Sequence, residues 1–276
     1  MSDLIVNPQE LAATAKALTK TQIQNMAPSV FATQPSDEVS KHYTHIPTER
    51  VIDDMELLGW KPIEAKEVKA RTKHTKGFQK HLLVFRNDDV VINGADGDTV
   101  WPQIMLTNSH DGKNAFKFQA GLYRMVCSNG LVVATEEFED VKMRHMGYTF
   151  EDLQILIKDM VERLPLTVES MNKMKQTEMA EEAILAFAKD AINTRFTKKE
   201  MNRIDIDLQQ LINPVRKEDK GTDLWSVFNV VQEKIVTGDF EYRAGGKPRK
   251  AREIKNFKQD MKVNKELFSV ALEYAS

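Results

Sequence analysis

The chain has 276 residues, which is enough for one large domain or two ordinary ones. Its 39 basic and 41 acidic side chains leave a formal net charge of −2, so any binding to nucleic acid must come from local patches rather than from an overall positive field. The single cysteine, Cys127, excludes an internal disulfide framework and a cysteine-based zinc site. The sequence has no apolar run of about 20 residues and no signal-peptide pattern at its start, so we expect no membrane partner and a location in a reducing cytoplasm.

Two segments precede the predicted sheet. Residues 1–40 are polar, have only weak helical spacing and are broken by Pro28 and Pro35, so we interpret them as a loosely packed N-terminal arm or a disordered tail. From Thr48, apolar residues recur at helical spacing as far as Gly59. This pattern predicts one amphipathic helix of about three turns.

Residues 60–134 have the pattern of antiparallel strands. Apolar residues alternate with polar ones in residues 63–70 and 116–122, and compact apolar runs occupy residues 81–86 and 100–107. Between the last two strands, residues 108–114 read Asn-Ser-His-Asp-Gly-Lys-Asn, which predicts a tight turn with a positive φ at Gly112.

Residues 149–276 are mostly helical in pattern. Apolar stripes predict helices over 153–164, where Pro165 ends the helix, and then over about 180–192, 224–235 and 264–274. Gly245, Gly246 and Pro248 predict a loop over residues 239–250. The predicted fold class is therefore α+β, with an antiparallel sheet preceded by a helix and followed by a mostly helical C-terminal half. We expect an arm at 1–40, a helix and sheet at 41–148, and a helical region at 149–276 that packs on the sheet as one domain.

Residues with reactive or ligating side chains do not form a recognisable constellation. The six histidines lack the spacing of a metal site. His110 and Asp111 are interpreted as part of the turn rather than as an acid–base pair, and Cys127 as a buried structural cysteine rather than a nucleophile with His110 as its base. Because the sequence also lacks a Walker loop and a Gly-x-Gly-x-x-Gly motif, we expect no catalytic residue, no metal, no cofactor and no enzymatic activity.

Positive charge is concentrated in two runs. One lies at the tip between the first two predicted strands and the other in the Gly-Pro loop, whereas acidic residues are few in both. A basic tip and a basic loop are suited to contacts with phosphates, although a solvated face that balances acidic regions is the alternative. We predict that one phosphate-contacting surface binds nucleic acid and that it includes Arg71, Lys73, Lys76, Arg249, Lys250 and Arg252.

Several short motifs in this chain resemble those of a known family. Asn108–Gly112 and Tyr123–Leu131 are similar to the signature of the phage/plasmid-like proteins, which contain the domain of unknown function nine-thirty-two. His42–Thr48, Gly59-Trp60, Lys80-His81 and Gly221-Thr222 ahead of Asn229–Glu233 fit the same pattern in order, so the resemblance covers about residues 40–275. It implies a protein that is carried by tailed phages, prophages or conjugative plasmids and that acts in the cytoplasm of a bacterial host. It carries over no catalytic residue.

Two functions from different classes are consistent with these observations. The first is nucleic-acid binding of the single-strand DNA binding or annealing type in phage DNA metabolism and recombination, for which a homo-oligomer is a candidate assembly. Phe78, Trp101 and Tyr123 are candidates for stacking on bases, although a place in the core is the favoured interpretation of these rings. The second is an anti-defence or host-takeover protein that acts by docking on a host defence or replication protein. The two basic runs favour the first function, and the near-neutral charge favours the second.

Overall fold

The computed structural model of the protein describes residues 16–70, 72–93, 99–124, 141–142, 148–214 and 219–276. Contacts among these residues form two compact units. Unit 1 contains the described residues from 16 to 164, and unit 2 contains those from 165 to 276. The predicted packing of residues 149–276 on the sheet as one domain stays a prediction.

Unit 1 is built on an antiparallel sheet with helices before and after it. The helices are α1 (Lys20–Met26), α2 (Thr48–Leu57) and the first part of α3 (Phe150–Gln176). The strands are β1 (Lys61–Glu67), β2 (His81–Arg86), β3 (Ile92–Asn93), β4 (Thr99–Asn108), β5 (Lys117–Arg124) and β6 (Val141–Lys142). They pair in the order β1-β2-β4-β5-β6, with β3 also on β4, and every pair is antiparallel. Together with the helical segments that follow it, this sheet confirms the predicted α+β class.

The strand β2, an interior strand of the sheet, is the compact apolar run that the sequence predicts at residues 81–86. All six residues of β2 are buried, because β1 and β4 flank this strand and its side chains are covered on both faces. Residues that are buried on both faces give a continuous apolar run instead of an alternating one. The register places His81 at the start of β2 opposite Asn108 at the end of β4, which brings two of the family-like motifs to one end of the sheet.

Residues 16–40 are packed, in contrast to the loose arm inferred from their composition. Ile23 and Val30 are fully buried in unit 1, and the Leu18 N–H donates to the Pro62 carbonyl of β1 at 2.7 Å. Lys20 forms ion pairs with Glu49 and Asp53 of α2 at 3.1 and 2.7 Å. A few apolar anchors spaced along a polar stretch are sufficient to hold it, and average polarity does not show such anchors.

The turn predicted at residues 108–114 is confirmed. It joins the antiparallel strands β4 and β5, and Gly112 has a φ of +70°. Asp111 accepts a hydrogen bond from the Lys113 N–H at 3.0 Å and another from the Ser109 hydroxyl at 2.7 Å. Asp111 therefore has the side chain-to-backbone role that an aspartate commonly has in a turn.

Unit 2 consists of helices with one small sheet. Its helices are the last part of α3, α4 (Glu181–Ile192), α5 (Lys198–Met201), α6 (Gln209–Ile212), α7 (Leu224–Thr237) and α8 (Phe257–Tyr274). Its strands are β7 (Ile204–Asp205), β8 (Glu241–Ala244) and β9 (Lys247–Lys250), which pair in that order and are antiparallel. Trp225, Phe228 and Phe268 are buried between α7 and α8, where Phe228 and Phe268 meet edge to face with ring centroids 5.9 Å apart.

Three sequence-based boundaries in this half are wrong. The predicted loop at 239–250 is a β-hairpin, in which Gly245 and Gly246 form a two-residue turn with φ values of +57° and +77°. Positive φ at both central residues is what a type I′ hairpin turn requires, so the glycine pair connects strands instead of interrupting order. The helix predicted to end at Pro165 continues to Gln176. A proline removes one backbone N–H donor, and the hydrogen bonds of the turns on either side are sufficient to continue the helix. The last helix begins at Phe257, seven residues before the predicted start at Asn264.

Candidate nucleic-acid interface

Three of the six predicted phosphate-contacting residues line one pocket in unit 2. The pocket has a volume of about 760 Å³, which is within the usual range for ligand sites. Its lining residues are Arg195, Phe196, Tyr242, Arg249, Lys250, Ala251 and Arg252. None of these seven is acidic, and two are aromatic. We call this feature the hairpin pocket.

The β8–β9 hairpin determines which cations face the hairpin pocket. Tyr242 lies directly opposite Arg249 in the register, and Arg243 lies opposite Pro248. Opposed residues of antiparallel strands point to the same face and successive residues to opposite faces, so Tyr242 and Arg249 share one face while Arg243 lies on the other. Arg249 lines the pocket and Arg243 does not. Lys250, the last residue of β9, also lines the pocket although the alternation places it on the face opposite to Arg249, so the clearest contrast between the two faces is that of Arg249 with Arg243.

The positive charges of the pocket differ in how far protein carboxylates balance them. Arg249 and Arg252 are exposed, and neither side chain forms an ion pair with another described residue. Lys250 lies opposite Glu241 in the register. The ion pair with Lys234 holds the pKa of Asp239 below its ordinary value, and the charge of Lys250 adds a smaller effect in the same direction. The two arginines are therefore the cations most available to an outside anion.

The aromatic side chains of the pocket form a cluster that the sequence analysis did not identify. The ring centroid of Tyr242 is 5.4 Å from that of Phe196 and 6.4 Å from that of Phe240. Phe240 is buried, whereas Phe196 and Tyr242 are half-buried and line the pocket. One sequence feature does indicate part of this cluster, namely the Gly-Gly pair between Glu-Tyr-Arg-Ala and Lys-Pro-Arg-Lys. Such a pair is typical of a hairpin turn, and a hairpin of this register has the tyrosine opposite an arginine.

Arg195 forms part of the wall of the pocket. Its guanidinium donates hydrogen bonds to the backbone carbonyls of Ile235 in α7 and Arg252 after β9. It also lies over the rings of Phe196 and Phe240, at 5.9 and 5.4 Å from their centroids. Burial lowers the pKa of Arg195, but a guanidinium stays protonated in proteins. Because its donors are engaged by the main chain, Arg195 holds the hairpin in place.

The other predicted cations belong to unit 1. The strands β1 and β2 are joined by residues 68–80, as the sequence predicts, and this connection contains a 3-10 turn at Lys73–Thr75. Lys76 is exposed, whereas Arg71 and the side chain of Lys73 lie outside the described residues. The proposal that these residues and those of the hairpin pocket form one surface stays a prediction.

The three stacking candidates that the sequence suggests are less suitable than the rings of the hairpin pocket. Trp101 is only 4% exposed and belongs to the core of unit 1. Phe78 is half-buried, and the side chain of Tyr123 lies outside the described residues.

A second cluster, buried in unit 1, contains three of the histidines. His45, His81 and His110 pack with ring centroids 4.6 Å apart for His45 and His110 and 5.2 Å apart for His81 and His110. The hydroxyl of Thr48, the first residue of α2, lies 2.9 Å from His81 Nε2 and 3.4 Å from His110 Nε2. We call these four residues the histidine cluster. It joins the start of α2 to the end of the sheet where β2 begins and β4 ends.

Hydrogen bonds determine the tautomer of His81. The Gln79 carbonyl can only accept, so His81 Nδ1, which lies 3.0 Å from its oxygen, carries the ring proton and donates to it. In the neutral ring Nε2 is then the acceptor, and the Thr48 hydroxyl, 2.9 Å away, donates to it while its oxygen accepts from the Asn108 amide at 3.0 Å. Complete burial lowers the pKa of His81 to about 4, although the Gln79 bond opposes that shift. His81 is therefore neutral at pH 7.

The described residues offer no arrangement suited to a metal ion. No group of three or more His, Cys, Asp or Glu side chains in this part of the chain is placed to hold one. In the histidine cluster, His81 Nδ1 and Nε2 face the Gln79 carbonyl and the Thr48 hydroxyl, and His45 Nε2 lies 3.1 Å from the Ala32 carbonyl oxygen. The prediction that Cys127 is buried and structural falls on a residue outside the described ones, and so does His145. No helix of the described part is long and apolar enough to cross a membrane.

Comparisons with known proteins identify the family. The chain is 28% identical over 257 residues to two proteins of Escherichia coli strain K12, the UPF0380 proteins YafZ and YfjQ. The matches cover 93% of this chain and 91% of each relative. No solved structure matches the chain. The model of the domain of unknown function DUF932 matches residues 35–268, a range that includes both the histidine cluster and the hairpin pocket. The chain therefore belongs to the DUF932 family, as its motifs predicted.

Proposed function

We propose that the protein binds single-stranded DNA through the hairpin pocket. The observation that supports this function best is the lining of the pocket, where Arg249, Lys250 and Arg252 meet the rings of Phe196 and Tyr242. Proteins that bind single strands combine a positive groove that follows the phosphates with aromatic rings on which bases stack. The pocket brings both elements together, with Tyr242 and Arg249 from the β8–β9 hairpin and Phe196 from the segment that follows α4.

The absence of acidic lining residues supports an anionic ligand. A chain with a net charge of −2 attracts a polyanion only where local cations outnumber carboxylates, and the hairpin pocket is such a place. The strand β9 lies at the edge of its sheet, where lysine and proline also discourage pairing with another chain. That protective role accounts for Lys247 and Pro248, whereas Arg249 faces the pocket.

The proposed activity is binding without catalysis, in the cytoplasm of a bacterial host. The resemblance to phage and plasmid proteins supports this proposal, because a role in DNA metabolism is expected for them. Docking on a host protein is the competing function. No described residue favours docking on a host protein specifically, so this function is the alternative that the test below distinguishes from DNA binding.

Salt dependence of binding tests the proposal. A fluorescent thymidine oligomer of about 20 nucleotides would be titrated with the full chain, and its anisotropy measured at about 50 and 200 mM salt. Contacts of Arg249, Lys250 and Arg252 with three phosphates would give a log–log slope of about −2, hence roughly twenty-fold weaker binding at the higher salt. If the oligomer does not bind at micromolar protein, or binds without salt dependence, the proposed function is wrong and docking on a host protein takes its place.

A further inference from the structure

The aromatic part of the hairpin pocket has a role that charge alone does not explain. We propose that the Tyr242 ring stacks on an unpaired base of the bound strand, so that the pocket recognises bases exposed by strand separation and discriminates against duplex DNA. This inference rests on the proposed function and adds the residue that makes the pocket prefer an unpaired strand. In a duplex the bases are stacked on one another, so a side-chain ring at the surface does not reach their faces.

The Tyr242 ring is held in a fixed orientation before any ligand arrives. Phe196 lies against it with an interplanar angle of 60°, and Phe240 with one of 45°, at the centroid distances given above. Phe240 is only 3% exposed and anchors the cluster in unit 2. A ring that is already ordered loses little conformational freedom on binding, so most of the stacking energy contributes to affinity.

Arg195 packs against two rings of the same aromatic cluster. Its guanidinium lies over Phe196 and Phe240 and is bonded to the carbonyls of Ile235 and Arg252. These bonds connect the end of α7, the cluster and the segment that follows β9. Arg195 is therefore a positioning residue for the pocket, and its charge is directed at the main chain.

The position of Arg249 matches a base on Tyr242. The two residues are directly opposed on β8 and β9, and such pairs have Cβ atoms about 5 Å apart. A guanidinium at that distance from the ring is within reach of the phosphate of the same nucleotide. The pair therefore provides one contact to the backbone and one to the base of a single nucleotide, independent of sequence because every base has a π face.

An abasic strand separates base stacking from phosphate binding. The probes are a thymidine oligomer and an abasic oligomer of equal length, which carry the same phosphates and differ only in the bases. We expect the full chain to bind the thymidine strand at least about five-fold more tightly than the abasic strand, since one stacked base contributes that much or more. Equal affinity of the wild-type chain for both strands would overturn the inference and leave the proposed function intact. Binding to neither strand would contradict the proposed function itself.

Two substitutions assign the effect to Tyr242. Tyr242→Phe keeps the ring, so it should keep the preference for the thymidine strand. Tyr242→Leu keeps an apolar side chain to pack on Phe196 but removes the π face, so it should bind both strands with the affinity that the wild type shows for the abasic one. Circular dichroism checks that both variants fold. Retention of the preference by Tyr242→Leu would assign base recognition elsewhere and refute the role of Tyr242.

Discussion

At the scale of single residues, the histidine cluster shows how polar side chains are accommodated in the core of unit 1. Thr48, His81 and His110 are fully buried, and the hydroxyl of Thr48 mediates their contact. Buried polar groups are tolerated when hydrogen bonds satisfy them, and a network of this kind fixes one arrangement of the elements that contribute to it. The family-like motifs His42–Thr48, Lys80-His81 and Asn108–Gly112 thus share a structural purpose in unit 1.

Neutral His81 should make the protein sensitive to mild acid. Its pKa is lowered from 6.5 to about 4 in the folded state, so the folded chain lacks a proton that the unfolded chain binds below pH 6.5. The contribution of His81 to stability is therefore complete above pH 6.5 and is lost as the pH falls towards 4. At a limiting slope of 1.36 kcal/mol per pH unit, the loss between pH 7 and pH 5 is about 2 kcal/mol.

Urea unfolding at pH 7 and pH 5 measures this loss. His81→Gln cannot take up the proton, so its stability should fall by about 2 kcal/mol less than that of the wild type between the two pH values. His74 is exposed, so His74→Gln serves as the control and should follow the wild type. Equal pH dependence in His81→Gln and the wild type would show that His81 is not the group responsible.

At the scale of elements, the hairpin pocket depends on a close approach between the end of α7 and the segment after β9. Gly238 ends α7 with a φ of +74°, and its N–H donates to the Lys234 carbonyl at 3.0 Å. A Cβ atom at Gly238 would lie 2.5 Å from the carbonyl carbon of Arg252, which is closer than real Cβ contacts allow. Since Arg195 bonds to the carbonyl of Arg252, this approach also determines the wall of the pocket.

Substitution of Gly238 by alanine should therefore destabilise the protein by more than backbone strain alone. Gly246 is the matched control, because its φ is +77° and a Cβ there would meet nothing within 4 Å. Gly246→Ala should lower the free energy of unfolding by about 1–2 kcal/mol, the usual cost of a left-handed alanine. Gly238→Ala should lower it further in urea unfolding, because the Arg252 backbone must move. Equal losses in the two variants would mean that the close approach contributes nothing.

At the scale of the whole molecule, the sequence predicted the class and the order of elements better than the site. Helix α2, the four long strands and the turn at Gly112 follow from apolar periodicity and turn chemistry, which act over short distances. The sequence does not predict the β8–β9 hairpin because Gly-Gly and Pro commonly interrupt regular structure, although both are compatible with an edge hairpin. The aromatic cluster was missed because Phe196 is brought to Tyr242 by tertiary packing, which no local pattern reports.

The positive charge is divided between the two units of the molecule. The two basic runs belong to different units, and only the run in unit 2 is described together with its aromatic neighbours. DNA binding is therefore best tested at the hairpin pocket, where Arg249 and Arg243 allow a matched comparison. Both are exposed arginines on adjoining parts of one hairpin, and they differ in the face that they occupy.

The most direct test measures single-strand binding of Arg249→Gln and Arg243→Gln across a range of salt concentrations. Each variant removes one positive charge, so a general effect of net charge would weaken both equally. We expect Arg249→Gln to weaken binding of the thymidine oligomer and to reduce the magnitude of the salt slope by about 0.7, the value for one lost phosphate contact. Arg243→Gln should retain the wild-type slope. Equal slopes in the two variants, or a larger loss in Arg243→Gln, would contradict the assignment of DNA binding to the hairpin pocket.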